Sequence, residues 1–357
     1  MKIAVVHASL YKPDRKIGGV DVAVHRLASE LAKHPDDEVT LFSLAAASKA
    51  NYQHCRLFTY FPSLQNSQLG QLFLFPLLLN FVDFKSFDVV HLHGNDWFYL
   101  YRPIPSVRTL HGSALNEAKT ATSLKRRIMQ SIVYPLEHLA AKLAACSLAI
   151  GTETQRIYNI AQRISNGVDL QLFQPGTKTL QPSILFVGTW EGRKRGKFLF
   201  EIFVESILPR VPEAKLYMVS DRCSEHPSVI DVRFPSETDL AQLFAQSWVF
   251  AYPSVYEGFG IPYIEAMASG TAIITSANEG ANDVLNQGQY GWIVEDAVFG
   301  DRVVDLLQSA QLRSQLATIG LERAKEFALE TVAAHHREIY QTVLRQTSQG
   351  APQNRYV

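Results

Sequence analysis

The stretch Tyr256-Glu257-Gly258-Phe259-Gly260-Ile261-Pro262-Tyr263-Ile264-Glu265 sets two carboxylates around a glycine-rich turn. Gly258 and Gly260 let the backbone turn tightly. Pro262 suits the first position of a helix, and Gly270 suits its C-terminal stop. The amides of Phe259, Gly260 and Ile261 can then point at a phosphate or a polyhydroxyl ligand, because a helix N-terminus carries free N–H groups and partial positive charge. Glu257 falls on the loop and Glu265 in the first turn of the helix. Each can accept a hydroxyl pair from a different part of one ligand. As an isolated pair they also fit a plainer role, with Glu265 complementing the helix dipole and Glu257 solvated.

Three further groups sit where chemistry is expected. Gly188-Thr189-Trp190-Glu191-Gly192-Arg193-Lys194-Arg195-Gly196-Lys197 ends in four cations within five residues. Such a cluster neutralises a diphosphate and stabilises a departing one; otherwise it is a solvated turn. Gly18-Gly19 precedes a helix, so the backbone can approach a diphosphate there, or simply bend. His111-Gly112 follows an apolar run. Its imidazole can bond a ligand hydroxyl, shift a proton near neutral pH, or cap the strand end. His91-Leu92-His93-Gly94 ends another run, with one ring expected at the sheet face and one toward the loop. No acidic partner completes a metal set, so no metal site is assigned.

These groups must be carried by strands and helices. Short apolar runs at Ile3–His7, Glu38–Phe42, Asp88–Leu92, Ser106–Leu110 and Leu148–Gly151 read as strands. Helical periodicity covers Val22–Lys33 and Ser123–Ala145 between them. A second series runs through strands Ser183–Val187, Lys215–Val219, Trp248–Tyr252 and Ala272–Thr275. Helices Lys197–Leu208, Glu237–Ala245 and Tyr263–Ala268 alternate with them. Alternation of this kind gives α/β domains with parallel sheets covered on both faces. Phe173 to Pro182 is rich in Pro, Gly and Thr and reads as a linker. The division is therefore 1–175, 183–330, and a long helix, 331–346, that follows the second domain. From Gln346 onward the chain is polar and expected to fray. In open parallel sheets, ligands bind beyond the C-terminal strand ends, which is where all four groups fall.

Composition narrows the class. The chain of 357 residues is long enough for two domains, and 47% hydrophobic with 19% charged is ordinary for a globular protein with a sizeable core. Zero net charge gives no bulk attraction to nucleic acid. Cys55, Cys146 and Cys223 are widely spaced, which argues against a disulfide framework and for a reducing, cytoplasmic compartment. The N-terminus reads as a first strand and not as a signal peptide. Leu72–Phe84 is broken by Pro76, Asn80 and Asp83, so it reads as a buried helix or a membrane-contacting surface, not a span. Lys125-Arg126-Arg127 at the head of Ser123–Ala145 adds an expectation of peripheral contact with an anionic membrane, at its inner face.

Taken in order, Gly18-Gly19, Asp88-Val89-Val90-His91-Leu92-His93, His111-Gly112, Asn166-Gly167-Val168-Asp169, the basic loop, and the paired glutamates followed by Ala266-Met267-Ala268-Ser269-Gly270 resemble a retaining glycosyltransferase of the GT-B fold, family 4. The resemblance runs from Ile3 to about Tyr340. It implies two doubly wound, Rossmann-like domains facing across a cleft, the first on the acceptor side and the second binding a nucleotide sugar. It implies transfer of a hexose-type sugar from a nucleotide-diphosphate donor to a saccharide, lipid-linked or other hydroxyl acceptor, with no metal and no cofactor. Gly18 and Gly19 would contact the diphosphate, His111 the donor sugar, and Lys194 or Arg195, beside Arg193, the leaving group. Phe259, Gly260 and Ile261 would hold sugar and phosphate through their amides. Glu257 would bind the sugar, Glu265 the ribose, and Val232-Arg233-Phe234 would border the base. The long last helix would cross back and brace the hinge. Two departures stand out. Thr189 takes the place of the family's usual arginine, and Ser165 that of its proline. A sugar-nucleotide epimerase of the same fold and a silent nucleotide-binding scaffold are the alternatives.

Overall fold

The first strand, β1 (Lys2–Val6), is short and apolar, and Ile3 through Val6 are all fully buried. That is the pattern of a strand covered on both faces. The structure is a computed structural model that describes residues 1–10, 18–44, 50–60, 67–121, 123–222 and 224–349. Cys223 and the tail from residue 350 lie outside the described residues.

Among the described residues, β1 pairs with β2 (Glu38–Ser43) and β4 (Val89–Leu92). β3 (Gln53–Arg56), β5 (Ser106–Leu110), β6 (Cys146–Ala149) and β7 (Gln162–Arg163) complete a parallel sheet in the order β3-β2-β1-β4-β5-β6-β7. The second sheet is also parallel. It contains β8 (Ser183–Val187), β9 (Lys215–Val219), β10 (Val229–Val232), β11 (Val249–Tyr252), β12 (Ala272–Ser276) and β13 (Trp292–Val294), in the order β10-β9-β8-β11-β12-β13. In each sheet the strand order reverses beside the first strand of the domain, between β1 and β4 and between β8 and β11. That switch point opens a crevice at the C-terminal strand ends.

The helices are α1 (Gly19–Leu31), α2 (Phe75–Leu78), α3 (Ala114–Thr120), α4 (Leu124–Leu143), α5 (Thr152–Tyr158), α6 (Gly196–Ile202), α7 (Glu237–Gln246), α8 (Ile261–Ala268), α9 (Glu279–Val284), α10 (Phe299–Gln308), α11 (Ala310–Ala324) and α12 (Leu329–Ser348). α1 begins at Gly19, three residues before the apolar periodicity does, because Asp21 caps the exposed Gly18 amide. The helix expected to Leu208 is α-helical only to Ile202 and continues as a wider π turn, Phe203–Ile207. α12 stays helical to Ser348, beyond the expected fraying point.

Two core clusters follow the two sheets, and the exceptions matter. Ala333, Tyr340 and Val343 of α12 pack into the first domain's core. The chain crosses back where Val168 N donates to Phe327 O at 2.8 Å and Leu329 N donates to Val168 O at 3.0 Å. Residues 70–81 form helical turns, but not a buried helix: Phe75 and Leu79 are buried while Leu74, Leu77 and Phe81 are exposed. A single apolar side suffices to anchor such turns, which leaves the other side outward.

Candidate active site

The strand ends of the two sheets enclose a cleft of about 750 Å³, walled by both domains. Gly18, Gly19, His111, Arg193, Lys194, Glu257, Phe259, Gly260, Ile261 and Glu265 all line it.

The Glu257 carboxylate is the centre of the second domain's wall. Lys194 Nζ lies 2.8 Å from its Oε1, and Arg193 Nη1 lies 3.1 Å from its Oε2. The Tyr252 and Ser254 hydroxyls donate to Oε1 at 2.8 and 2.7 Å. Burial alone would raise Glu257, but Lys194 and Arg193 outweigh it and hold the carboxyl below its ordinary value. Burial lowers the Lys194 ammonium, with Glu257 opposing. Two cations are thereby presented beside the loop amides on a clamp whose geometry is already set, which suits a site for developing negative charge.

Arg195 is not part of that wall. It has a positive φ of 57°, which turns it out of the short 3-10 turn Gly192–Lys194. Its guanidinium makes a bidentate pair with Asp296 at 2.6 Å and also donates to Pro253 O and Ser276 Oγ. Of the two cations left open by the sequence, the structure brings Lys194 to the cleft and commits Arg195 to bracing the ends of β11 and β12. Thr189 lines the cleft, and its hydroxyl donates to Glu191 O at 2.7 Å.

The loop after β11 needs its glycines for two reasons. Gly260 has φ of +93°, a backbone that L side chains rarely adopt, and its missing Cβ leaves room for the Tyr263 ring. Gly258 lies against the other domain: a Cβ there would stand 2.7 Å from His111 O. α8 starts at Ile261, with Pro262 second, so Glu265 lies in the second turn and not the first. It is 3% exposed and does not serve the helix dipole. Its Oε1 accepts from Arg26 Nη2, which reaches across from α1, at 2.7 Å.

His111 meets His93, with the ring nitrogens Nε2 and Nδ1 2.9 Å apart. His93 in turn packs on His91 with ring centroids 3.9 Å apart. Both strand histidines are buried on one side of the sheet. They do not diverge to face and loop, because residues two apart on a strand share a face. His91 bonds Thr109 and Tyr340, so α12 is tied to the same cluster. Burial pushes His111 down to about 3, and the neighbouring ionisable histidines add to it. The imidazole is neutral at physiological pH and can donate or accept one hydrogen bond.

Near the expected base-bordering loop, Phe234 and Pro235 line the cleft. Val232 closes β10 and Arg233 donates to Asp221 O at 3.0 Å, so neither is among the lining residues. Periodicity did not mark Arg26 as a site residue. The available signal was a charge among the buried residues Val24, Leu27 and Ala28 of α1. The motif Tyr256–Glu265 assigns no role to Tyr256. Its hydroxyl accepts from Ser113 N at 3.1 Å and joins the two domains.

Comparisons with known proteins agree with this architecture. A family model described as Glycosyltransferase Family 4 matches residues 17–172, and one described as Glycosyl transferases group 1 matches residues 181–309. A phosphatidyl-myo-inositol mannosyltransferase from Mycobacterium leprae is 25% identical over 283 residues, 72% of this chain and 74% of that protein. A GDP-mannose:cellobiosyl-diphosphopolyprenol alpha-mannosyltransferase from Xanthomonas oryzae pv. oryzae is 29% identical over 229 residues, 57% of this chain and 59% of that protein. Among solved structures, sucrose-phosphate synthase (tll1590) from Thermosynechococcus elongatus superposes with a TM-score of 0.79 at 19% identity, covering 96% of this chain and 99% of that one. Anabaena Alr3699/HepE in complex with UDP-glucose gives 0.71 at 16% identity, covering 96% and 100%. These structures share the fold.

Proposed function

Because the chain belongs to the glycosyl transferases of group 1 and family 4, and is a glycosyltransferase of the GT-B fold, we propose that it transfers mannose from a guanosine-diphosphate donor to a hydroxyl of a lipid-linked acceptor, with retention of anomeric configuration. The observation that carries the chemistry is the Arg193–Glu257–Lys194 clamp facing Gly19 and His111 across the cleft. The sugar and the acceptor class rest on the relatives, which are named mannosyltransferases and, in the two described above, act on a phosphatidylinositol and a polyprenol-linked saccharide.

In this reading the diphosphate lies between the Gly18-Gly19 end of α1 and the Lys194 ammonium, and the amides of Phe259 to Ile261 hold sugar and phosphate. These groups, and not a metal ion or cofactor, balance the leaving charge. Both Glu257 oxygens are engaged by cations and Glu265 is tied to Arg26, so neither carboxylate is poised as a free nucleophile. That favours attack from the face the diphosphate leaves, with the diphosphate taking the acceptor's proton. Neutral His111 bonds a donor-sugar hydroxyl.

The acceptor class also fits the surface. Along α4, Leu124, Ile128 and Ile132 recur every fourth residue and are exposed beside Lys125, Arg126 and Arg127. The helix shares a small core with Leu72 and Trp97, next to exposed Leu74, Leu77 and Phe81. We assign this side to peripheral contact with an anionic membrane. No helix among the described residues is long and apolar enough to cross one.

Incubation with GDP-mannose, UDP-glucose and ADP-glucose, each with a polyprenol-linked acceptor, tests the donor. GDP release and an axially retained product by NMR are expected from GDP-mannose. Binding without turnover across the panel would favour a silent scaffold, for which Thr189 in the cleft is the one supporting observation. Flotation with anionic liposomes at low salt tests the surface, and no flotation removes it.

A further inference from the structure

Arg26 stands on the buried stripe of α1 in the first domain, yet its guanidinium ends in the second. Nε donates to Glu237 Oε1 and Nη2 to Glu265 Oε1, each at 2.7 Å. Its charge lies 5.1 Å from the centroid of the Phe173 ring. The residue is 5% exposed, and Nη1 is buried without a hydrogen-bond partner. A buried cation with an unsatisfied donor is costly in a core. The surroundings therefore do not select arginine for packing. Arg26, Glu237 and Glu265 all line the cleft, which places this costly arrangement at the site itself.

We propose that Arg26 is a positioning residue for donor binding: it fixes the Glu265 carboxylate to accept the donor's ribose hydroxyls, and it makes that grip available only when the cleft is closed. The inference rests on the donor reading above, in which Glu265 holds the ribose. A carboxylate offers about four lone-pair sites. Arg26 takes one on Oε1 and leaves the rest for ligand hydroxyls. The planar fork is itself fixed by Glu237 and Phe173, so Glu265 is aimed before the ligand arrives. Burial pushes Glu265 upward, and the Arg26 guanidinium, bonded to Oε1, opposes that. Because the cation and the carboxylate belong to different domains, opening the cleft separates them.

The test compares binding of a nucleoside diphosphate with its 2′,3′-dideoxy analogue by calorimetry. GDP and UDP are both tried, and the one that binds the wild type is carried forward. Wild type is expected to bind the dideoxy form roughly tenfold more weakly or worse, the loss of hydrogen bonds to a charged acceptor. Arg26→Met and Arg26→Gln should bind the two forms within about twofold of each other, since an unaimed carboxylate no longer distinguishes them. Arg26→Lys should restore part of the ratio, because an ammonium reaches one carboxylate but cannot bridge two as a fork does. If one variant fails to fold, the other two carry the comparison. An arginine of purely structural importance would weaken both nucleotides equally and leave the ratio at its wild-type value; that result overturns the proposal. A wild type that binds nucleotide without distinguishing the two forms also overturns it, and leaves nucleotide binding itself standing. A wild type that binds neither GDP nor UDP removes the donor reading and this inference together.

Discussion

Lys194 and Arg195 are neighbours of like charge with opposite destinations. Lys194 points at Glu257 and the Tyr252 ring, while Arg195 is consumed by Asp296. Lys194→Ala is therefore expected to slow sugar transfer by about 10²–10³-fold, the scale of losing one stabiliser of developing charge. Arg195→Ala should cost less than about tenfold in rate, and roughly 1–2 kcal/mol in stability from lost charge-assisted bonds. Steady-state kinetics and denaturant midpoints on both variants check this; equal rate losses would mean that Arg195 swings into the cleft. The basic loop was legible as a cation source because four charges follow a strand. Which charge faces the ligand was not, since that depends on one left-handed residue and on Asp296 a hundred positions later. Likewise the glutamate pair was legible as a ligand-binding feature, but its partners were not. Glu265 faces Arg26, 239 positions away in sequence.

At the scale of elements, the strand bounds agree with the sequence runs in β5, where every residue is buried, and in β9, where burial alternates along the strand. β3, β7, β10 and β13 are the short, partly exposed edge strands of the two sheets; β3 and β7 carry no apolar run, and the runs of β10 and β13 are too short to stand out. α12 was legible as a long helix. Its face toward the first domain carries His336, which is 3% exposed, with Nδ1 donating to Val332 O at 2.8 Å. Burial lowers His336 to about 4. A base depressed in the folded state leaves the unfolded chain to bind the proton first. Its contribution to stability is thus full above pH 6.5 and is lost as pH falls from 6.5 toward 4. At pH 5 the deficit is about 2 kcal/mol, from 1.5 units at 1.36 kcal/mol each. Urea midpoints should fall between pH 7 and pH 5, and His336→Phe should flatten that fall by about this amount. An unchanged slope would mean that the ring takes up its proton in the native state.

For the whole molecule, the two domains meet through loops that neither sheet specifies by itself. Thr152 N donates to Asp283 Oδ2 at 2.6 Å, Ser113 N to the Tyr256 hydroxyl at 3.1 Å, and Arg26 to Glu237 and Glu265. The two-domain plan was legible from alternating elements and the linker. The closure was not, because nothing in local periodicity fixes one rigid body against another. The backbones also approach closely at Gly258, whose missing side chain lets the loop after β11 seat against His111 and Gly112. Gly258→Ala is a selective probe of that seat. Gly258 does not have a left-handed backbone, so alanine adds no local strain. The added methyl would stand 2.7 Å from His111 O and 3.0 Å from Gly112 Cα, both backbone atoms that cannot rotate away. The domains must then part by a fraction of an ångström to accommodate it. His111 is thereby displaced from Lys194 and Glu257 while each wall keeps its own geometry. Misplacement on the order of 1 Å costs about 10²-fold in rate, so kcat/KM for the donor should fall by roughly 10–10²-fold with little change in the denaturant midpoint. A crystal structure of the variant should show the loop after β11 shifted away from His111 and Gly112. Wild-type kinetics with that shift present would show that catalysis does not require these loops to touch.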